Sequence, residues 1–366
     1  MENEFSSVTA FMDELRTMKK FAEFYNRLLR PEENSNKEVR TALIRLNVLE
    51  ISTAYPFLLA TYDALQEGQV SQSEFLEVLK ILENYVVRRY LAGEATNYMN
   101  KMFPVLWKEI NPAQITTSLK EALVARRYPS DERLIQTLST EEFYGRNAQV
   151  RDKTKLILET INRRLSAGSG GYTVLDADAT IEHLMPQKLG QEWKDVLGAN
   201  WAQVHQELLH TIGNLTLVTQ EWNSDLSNAP FAEKRAKLME HALRLNKDYF
   251  NSISYWNEEA IKQRATFLAG KIIEIWPMLA KIPTSLANAG RKPKALLLMG
   301  QTIPVSSWRE AVYQTALQIS QVADDFETIA AQMPSYFDKQ EFKAACRQLP
   351  NCQGSRHRRH FWVTTS

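Results

Sequence analysis

Residues 181–187 read Ile-Glu-His-Leu-Met-Pro-Gln, and their counterpart downstream is GNLTLVTQEWN at 213–223, in which Asn214 and Asn223 stand nine positions apart. An acid beside a histidine, a proline three residues later and two spaced asparagines are a set of groups suited to hydrolysing a phosphodiester. That chemistry needs an activated water, a cation on the scissile phosphate and leaving oxygen, and groups that hold both in line. His183 suits the first task, because a neutral imidazole takes a proton near pH 7. Glu182 and the amide oxygen of Asn223 are hard oxygen ligands. Mg²⁺ or Mn²⁺ accepts such ligands from a protein while keeping several waters for substrate to displace. In a strand, Glu182 and His183 point to opposite faces. They serve one site only where the strand ends and twists into a loop, with His183 expected at an exposed strand end. Pro186 supports that break, since it cannot donate to a sheet ladder and biases its predecessor toward an extended conformation.

These parts resemble the one-metal HNH nucleases, whose unit is a short β-hairpin followed by a helix. Over about Asp176 to Trp276 the chain resembles the HNH domain of the GmrSD family of modification-dependent (type IV) restriction endonucleases, including relatives that sense phosphorothioate-modified DNA. The matching residues are IEHLMPQ, HTIGNLTL at 210–217, Asn223, LSN at 226–228, Phe231 and Lys234. They continue with LRLN at 243–246, Trp256, IKQR at 261–264 and IW at 275–276. The resemblance implies Glu182 and Asn223 as metal ligands, His183 as general base, and Asn214 as a residue that orients the loop or the histidine. Lys234 would be a phosphate contact from the helix that follows, with Asn228 and Phe231 in capping and packing roles. It further implies Mg²⁺ or Mn²⁺ as cofactor, double-stranded DNA, modified phage DNA in particular, as substrate, and an NTP-dependent sensor as partner. Full-length members open with a nucleotide-dependent domain bearing a DGQQR-like motif. This sequence contains no such string and no phosphate-cradling GxxxxGK[ST]. The sensor is therefore expected in a separate subunit or in a half that this sequence does not include, and the chain reads as the nuclease half.

Each residue also has a plain structural reading. Asn214 after Gly213 could simply make a turn. Asn223 and Asn228 could cap a helix starting near Ala229, with Pro230 early in it and Glu233 in its first turn. Lys234 reads equally as solvated surface. His205, His210 and His241 sit in helical or near-helical surroundings and read as residues without chemistry, although His210 adjoins the motif.

A chain of 366 residues suggests two or three domains with a sizeable core. No apolar run reaches the length of a membrane span and no secretory signal opens the sequence, which points to a soluble protein. Cys346 and Cys352 have neither metal-site spacing nor the density of a disulfide scaffold, so a cytoplasmic setting is expected and a four-cysteine zinc site is excluded. The net charge of +1 is low for a broad DNA-binding surface. Residues 291–366 nevertheless carry 10 basic against 6 acidic side chains, while residues 1–290 carry 34 against 37. The densest part is RHRRH at 356–360, followed by Phe361 and Trp362. Arg356, Arg358 and Arg359 are thus candidate DNA contacts, a solvated strand or frayed tail being the alternative. Arg126 and Arg127 could also touch DNA but read more naturally as loop surface.

The expected fold is mainly α. A helical bundle covers 1–166, an HNH (ββα-metal) nuclease unit with closing helices covers 167–287, and a small basic α+β module covers 288–366. Apolar stripes place Val39, Leu43, Leu46 and Leu49 on one face of the run 38–66, and Phe75, Val78, Leu79, Leu82 and Val86 on another helix. Val150, Leu156, Ile157 and Ile161 mark a further helix that should close before AGSGG at 167–171. YTVLD and ATIEHL lead into the hairpin, residues 191–210 form a helical insertion anchored by Trp193 and Trp201, and NLTLVT is the second strand. A helix from about Ala229 to Leu245 completes the unit, and two helices around Trp256 to Trp276 return to the bundle. Pro277, Pro283 and NAGRKP at 288–293 read as a linker, followed by a hairpin in KALLLMG/TIPVSSW, helices at 308–320 and 322–332, and a last strand at FWVTT. The expected activity is metal-dependent DNA cleavage or nicking in phage defence. The alternatives are an RNase or toxin nuclease with the same site, and a non-catalytic DNA-binding scaffold.

Overall fold

The computed structural model describes residues 8–145, 147–167, 179–240 and 243–280, then 295–298, 301–307 and scattered residues from 310 to 318. Two compact units divide the chain, Met1–Ala287 and Asn288–Ser366.

The first unit opens with helices α1 (Val8–Leu29), α2 (Lys37–Val48), α3 (Tyr55–Gln66), α4 (Gln72–Leu91), α5 (Met99–Leu106), α6 (Ile115–Val124), α7 (Asp131–Leu138) and α8 (Ala148–Ser166). Local chemistry sets their starts. Asn36 accepts from the Glu38 and Val39 amides ahead of α2, and Ser71 with Glu74 forms a reciprocal capping box on α4. The periodic run 38–66 is two helices rather than one. Glu50 takes a left-handed φ of 57°, and Pro56 opens α3. The stripe of α4 is buried as its spacing requires, and α8 closes at Ser166, just before AGSGG.

Strand β1 (Ala179–His183) follows, then α9 (Gln191–Leu197) and α10 (Trp201–Leu208), then β2 (Leu215–Thr219). β1 and β2 pair antiparallel, with Glu182 opposite Thr216 and His183 opposite Leu215. Helix α11 (Gln220–Leu226) leaves β2 directly and packs on β1, and α12 (Phe231–Glu240), α13 (Arg244–Phe250) and α14 (Glu258–Ile275) complete the unit. The single helix expected over 229–245 is therefore divided between α12 and α13, and the helix next to the hairpin is the short α11. The two closing helices are one, α14, whose apolar face continues from Ala260 to Ile272 while Gly270 falls on its exposed side.

One apolar core runs from Phe24 in α1 through the bundle to Leu215 and Leu217 in β2 and Leu268 and Ile272 in α14. Each fully buried Leu or Phe contributes about 1.5–3 kcal/mol relative to exposure. A smaller cluster, with Leu184, Trp193, Phe231, Phe250 and Trp256, lies under the inserted helices. The fully buried Arg88 joins the first helices to the last. Its guanidinium donates to Trp276 O (2.9 Å) and Pro129 O (2.8 Å) and pairs with Asp131 (2.7 Å). The arrangement is mainly helical, and among the described residues no helix is long and apolar enough to cross a membrane.

In the second unit, β3 (Ala295–Leu298) and β4 (Gln301–Pro304) form an antiparallel hairpin where KALLLMG and TIPVSSW predict one. The helix expected over 308–320 is described only at scattered residues. YTVLD, His241, the linker 288–293, the helix 322–332, Cys346, Cys352, Arg356, Arg358, Arg359 and the strand at FWVTT lie outside the described residues.

Candidate active site

β1 ends at His183, and the chain is turned there by Asn214, four positions beyond His210 in the loop between α10 and β2. Asn214 is fully buried. Its Oδ1 accepts from the Met185 amide (2.7 Å) and from Trp256 Nε1 (3.1 Å), and its Nδ2 donates to Met185 O (3.0 Å) and Leu209 O (2.9 Å). Its backbone carbonyl receives the Leu184 amide (3.0 Å). An asparagine amide has two donor hydrogens and two acceptor lone pairs, so this side chain is saturated. It can orient the loop after His183 but has no group left for substrate. Gly213 is needed for a different reason, because a Cβ there would lie 2.2 Å from Ile261 O of α14. Arg264 of α14 completes the support, donating to Gly213 O (3.0 Å), Leu215 O (2.5 Å) and Thr216 Oγ1 (3.1 Å).

The two central residues take different partners, as strand alternation requires. Glu182 receives a hydrogen bond from Lys234 Nζ of α12 at 2.5 Å, and the same ammonium donates to His183 O at 2.7 Å. Lys234 is fully buried, neither solvated surface nor poised at the surface to meet a phosphate. Burial pushes the Glu182 carboxyl up and the Lys234 ammonium down, and their mutual attraction acts in the opposite sense on both. The His183 ring meets Tyr144 edge-on (centroids 4.5 Å apart), and its Nε2 lies 3.1 Å from His210 Nδ1. The His210 ring stacks on Tyr144 (5.6 Å, 17°). Burial, reinforced by the positive charges of His210, Lys234 and His205, pulls the His183 imidazole down to about 3. His183 is 4% exposed and Glu182 5%, which corrects the expectation of an exposed strand end. Tyr144 and His210 lie against the His183 ring, and Lys234 of α12 lies against Glu182.

Asn223 is half-buried on α11, where its Nδ2 donates to Thr180 Oγ1 (2.9 Å) and Ile181 O (3.2 Å), the two residues before Glu182. Its amide oxygen accepts no hydrogen bond from the described residues. Asn223 thus caps no helix at Ala229. Asn228 is exposed, and Phe231 stacks on Trp256 (5.3 Å, 22°) in the packing role expected of it. Asp176 and Asp178, the next acids upstream, lie outside the described residues.

Among the described residues no three His, Cys, Asp or Glu side chains gather as a metal site. The donors on hand are the Glu182 carboxylate and the Asn223 amide oxygen. Both are oxygen donors of the kind a hard divalent ion accepts, although the Glu182 carboxylate already holds Lys234 and Asn223 is fastened to Thr180 and Ile181.

Sequence reasoning passed over His210, Tyr144 and His205. His210 was set aside as a helical residue, yet it touches His183. Tyr144 lies 39 positions before His183, and only the tertiary fold brings it there. His205 Nε2 lies 3.0 Å from Pro186 O and fastens the loop from outside. The signal for His210 was its place beside the GNLTL motif. Arg126 pairs with Glu109 (2.5 Å) and Arg127 lies over the Tyr98 ring (5.1 Å), so both charges have partners within the bundle.

No curated protein matches the chain. Residues 128–271 match the family model of the GmrSD restriction endonucleases, C-terminal domain. The match begins at Tyr128, upstream of α7, and so includes Tyr144 and α8 as well as the hairpin and the helices that carry Lys234 and Arg264. Over residues 128–271, then, the chain is similar to the C-terminal domain of the GmrSD restriction endonucleases.

Proposed function

We propose that the chain is a metal-dependent DNA endonuclease or nickase, working by the one-metal HNH route at the end of β1 and serving restriction of modified phage DNA. The observation that carries this reading is the order β1, β2, α11. It sets Glu182 and His183 at a strand terminus and lays Asn223 against the same strand. The family match to restriction endonucleases supports the substrate class.

In this reading His183 takes the proton of the attacking water. Its ring is neutral throughout the physiological range. With both imidazoles neutral, the 3.1 Å contact needs one donor and one acceptor. If His183 Nε2–H donates to His210 Nδ1, the lone pair on His183 Nδ1 remains to accept the water proton. His210 and Tyr144 then act as positioning residues that fix the ring and its tautomer. Lys234 holds the Glu182 carboxylate and the His183 carbonyl together, keeping the strand end rigid. Glu182 and Asn223 would hold Mg²⁺ or Mn²⁺, which when bound offsets the charge on the scissile phosphate and the leaving oxygen. The basic surplus of 291–366, Arg356, Arg358 and Arg359 above all, would supply contacts to the DNA backbone, and NTP-dependent sensing would come from a partner.

The test is to incubate the chain with supercoiled plasmid and with a structured RNA side by side, in Mg²⁺, in Mn²⁺ and in EDTA. Nicked or linear plasmid that disappears with EDTA is expected. Cleavage of RNA alone would replace the proposal with a ribonuclease, and inert plasmid and RNA in both metals would leave a binding scaffold.

A further inference from the structure

Helix α1 is held to the core by its last turns only. Phe24 and Leu28 are buried and Phe21 packs beside them, whereas every residue from Val8 to Lys19 except Ala10 is exposed. Its apolar side chains also mark a second line. Val8, Leu15, Ala22 and Leu29 recur at sevens, with Phe11, Met18 and Tyr25 three residues after the first three of them. These are the a and d positions of three heptads. At 100° per residue, that seam lies about a third of a turn from the Phe21/Phe24/Leu28 face. Val8 is 80% and Met18 61% exposed, and Leu15 and Leu29 are also exposed, while Tyr25, exposed on one side, meets Tyr55 of α3 edge-on (5.8 Å). Single exposed apolar residues are ordinary on a protein surface. A heptad seam on the projecting part of a helix is the pattern of a coiled-coil partner site.

The charges beside the seam select the occupant. Glu14 is a g position and Lys19 the e position of the next heptad, both exposed and outside the ion pairs of the described residues. In a parallel, in-register pair of identical helices, g faces the following e of the other chain. Each Glu14 therefore meets the partner's Lys19, once on either side of the seam. Antiparallel pairing sets g against g and e against e and forfeits both contacts. Of the other e and g positions, Met12 and Asn26 carry no charge and add no repulsion, while Phe21 and Leu28 are taken up by the chain's own core, so the free flanks are those of the first two heptads.

We propose that α1 is a dimerisation helix, docking a second copy of this chain along the Val8–Leu29 seam as a parallel two-stranded coiled coil. Three heptads lie at the short end for such an assembly, so the dimer forms reversibly with concentration. The pairing does not depend on the chemistry proposed for β1, and it places two copies of that site on one particle.

Sedimentation equilibrium of the full chain over a concentration series tests it without reference to cleavage. The mass is expected to climb from one chain toward two. Leu15→Lys with Met18→Lys should hold the protein at one chain mass with unchanged circular dichroism and melting, because neither side chain is in the core. Glu14→Lys or Lys19→Glu alone should weaken association roughly 3- to 30-fold at low salt, and the two together should restore it. Met18→Cys should give disulfide-linked dimers on mild oxidation, since only parallel register brings one d position against itself. A wild-type chain monomeric throughout, or a dimer indifferent to the Leu15 and Met18 changes, overturns the proposal. Failure of the double charge reversal to restore association overturns it as well, by removing the parallel register on which it stands.

Discussion

Asn214 and Asn223 belong to one motif nine residues apart, and the fold treats them in opposite ways. Asn214 is fully buried with every donor and acceptor engaged. Asn223 is half-buried on a seven-residue helix, held by its amide nitrogen while its oxygen accepts nothing from the described residues. A saturated polar side chain is structural, because any new contact must break an old one. One with an open acceptor at the edge of a strand terminus can still receive a ligand. The same amino acid, read from the same motif, thus separates into a part that shapes the site and a part that can act in it.

The sharpest way to break this contrast is to truncate its structural side. Asn214→Ala leaves the Met185 amide and carbonyl, the Leu209 carbonyl and the Trp256 indole N–H without a protein partner. A loss of about 3–5 kcal/mol is expected, read as a lowered denaturation midpoint. A midpoint within error of wild type would show that the loop is held by other means. Lys234→Met belongs on the same side. It strands the buried Glu182 carboxylate, at a cost of about 3–5 kcal/mol near neutral pH. Glu182→Ala does the reverse to Lys234, which makes it an impure probe of metal binding.

Asn223→Ala is the cleaner probe. It should melt within about 1 kcal/mol of wild type, since it removes only half-buried contacts, and yet need more Mg²⁺ or Mn²⁺ for half-maximal cleavage. An unchanged metal titration would move the ligands elsewhere, with Asp176 and Asp178 next to be tried.

Acid offers a smaller effect with a definite sign. His183 is neutral in both folded and unfolded chains above its ordinary 6.5, and it adds no pH dependence there. Between 6.5 and about 3 the unfolded chain binds a proton that the folded chain refuses, so stability is lost as pH falls through that window. His210, also pulled down by burial, acts in the same direction. The midpoint of His183→Gln should therefore fall less steeply from pH 6.5 downward. Equal slopes would place the acid sensitivity on other groups. Smaller again is the tail. Neutralising Arg356, Arg358 and Arg359 should weaken DNA binding and flatten its salt dependence, with cleavage at saturating protein recovering toward the full-length level. Unchanged affinity and salt slope would move the DNA surface off the tail.

What was legible in the sequence is what depends on neighbours along the chain. The stripes of α4 and α8 and the strands in ATIEHL and NLTLVT could all be read locally, and they stand where the reading placed them. The break at Glu50 was missed because the apolar spacing continues across it while the backbone reverses. Lys234 reads from the sequence as a phosphate contact or as solvated surface, not as a buried ion-pair partner, because burial of an ammonium is decided by Glu182, 52 positions away. His210 and Tyr144 reach His183 through the insertion and through the chain before α8, contacts that no periodicity announces. Arg88 escaped notice for the same reason, and Arg264 stood within IKQR without a role, since a buried guanidinium needs carbonyl partners supplied by distant helix ends and loops.

The most direct measurement is single-turnover plasmid cleavage by His183→Ala beside wild type at saturating Mg²⁺, with both proteins shown to be folded by circular dichroism and cooperative melting. General-base loss costs on the order of 10² to 10⁴ in rate. A fall of that size in a folded variant is what the account predicts. Undiminished cleavage by folded His183→Ala would contradict it.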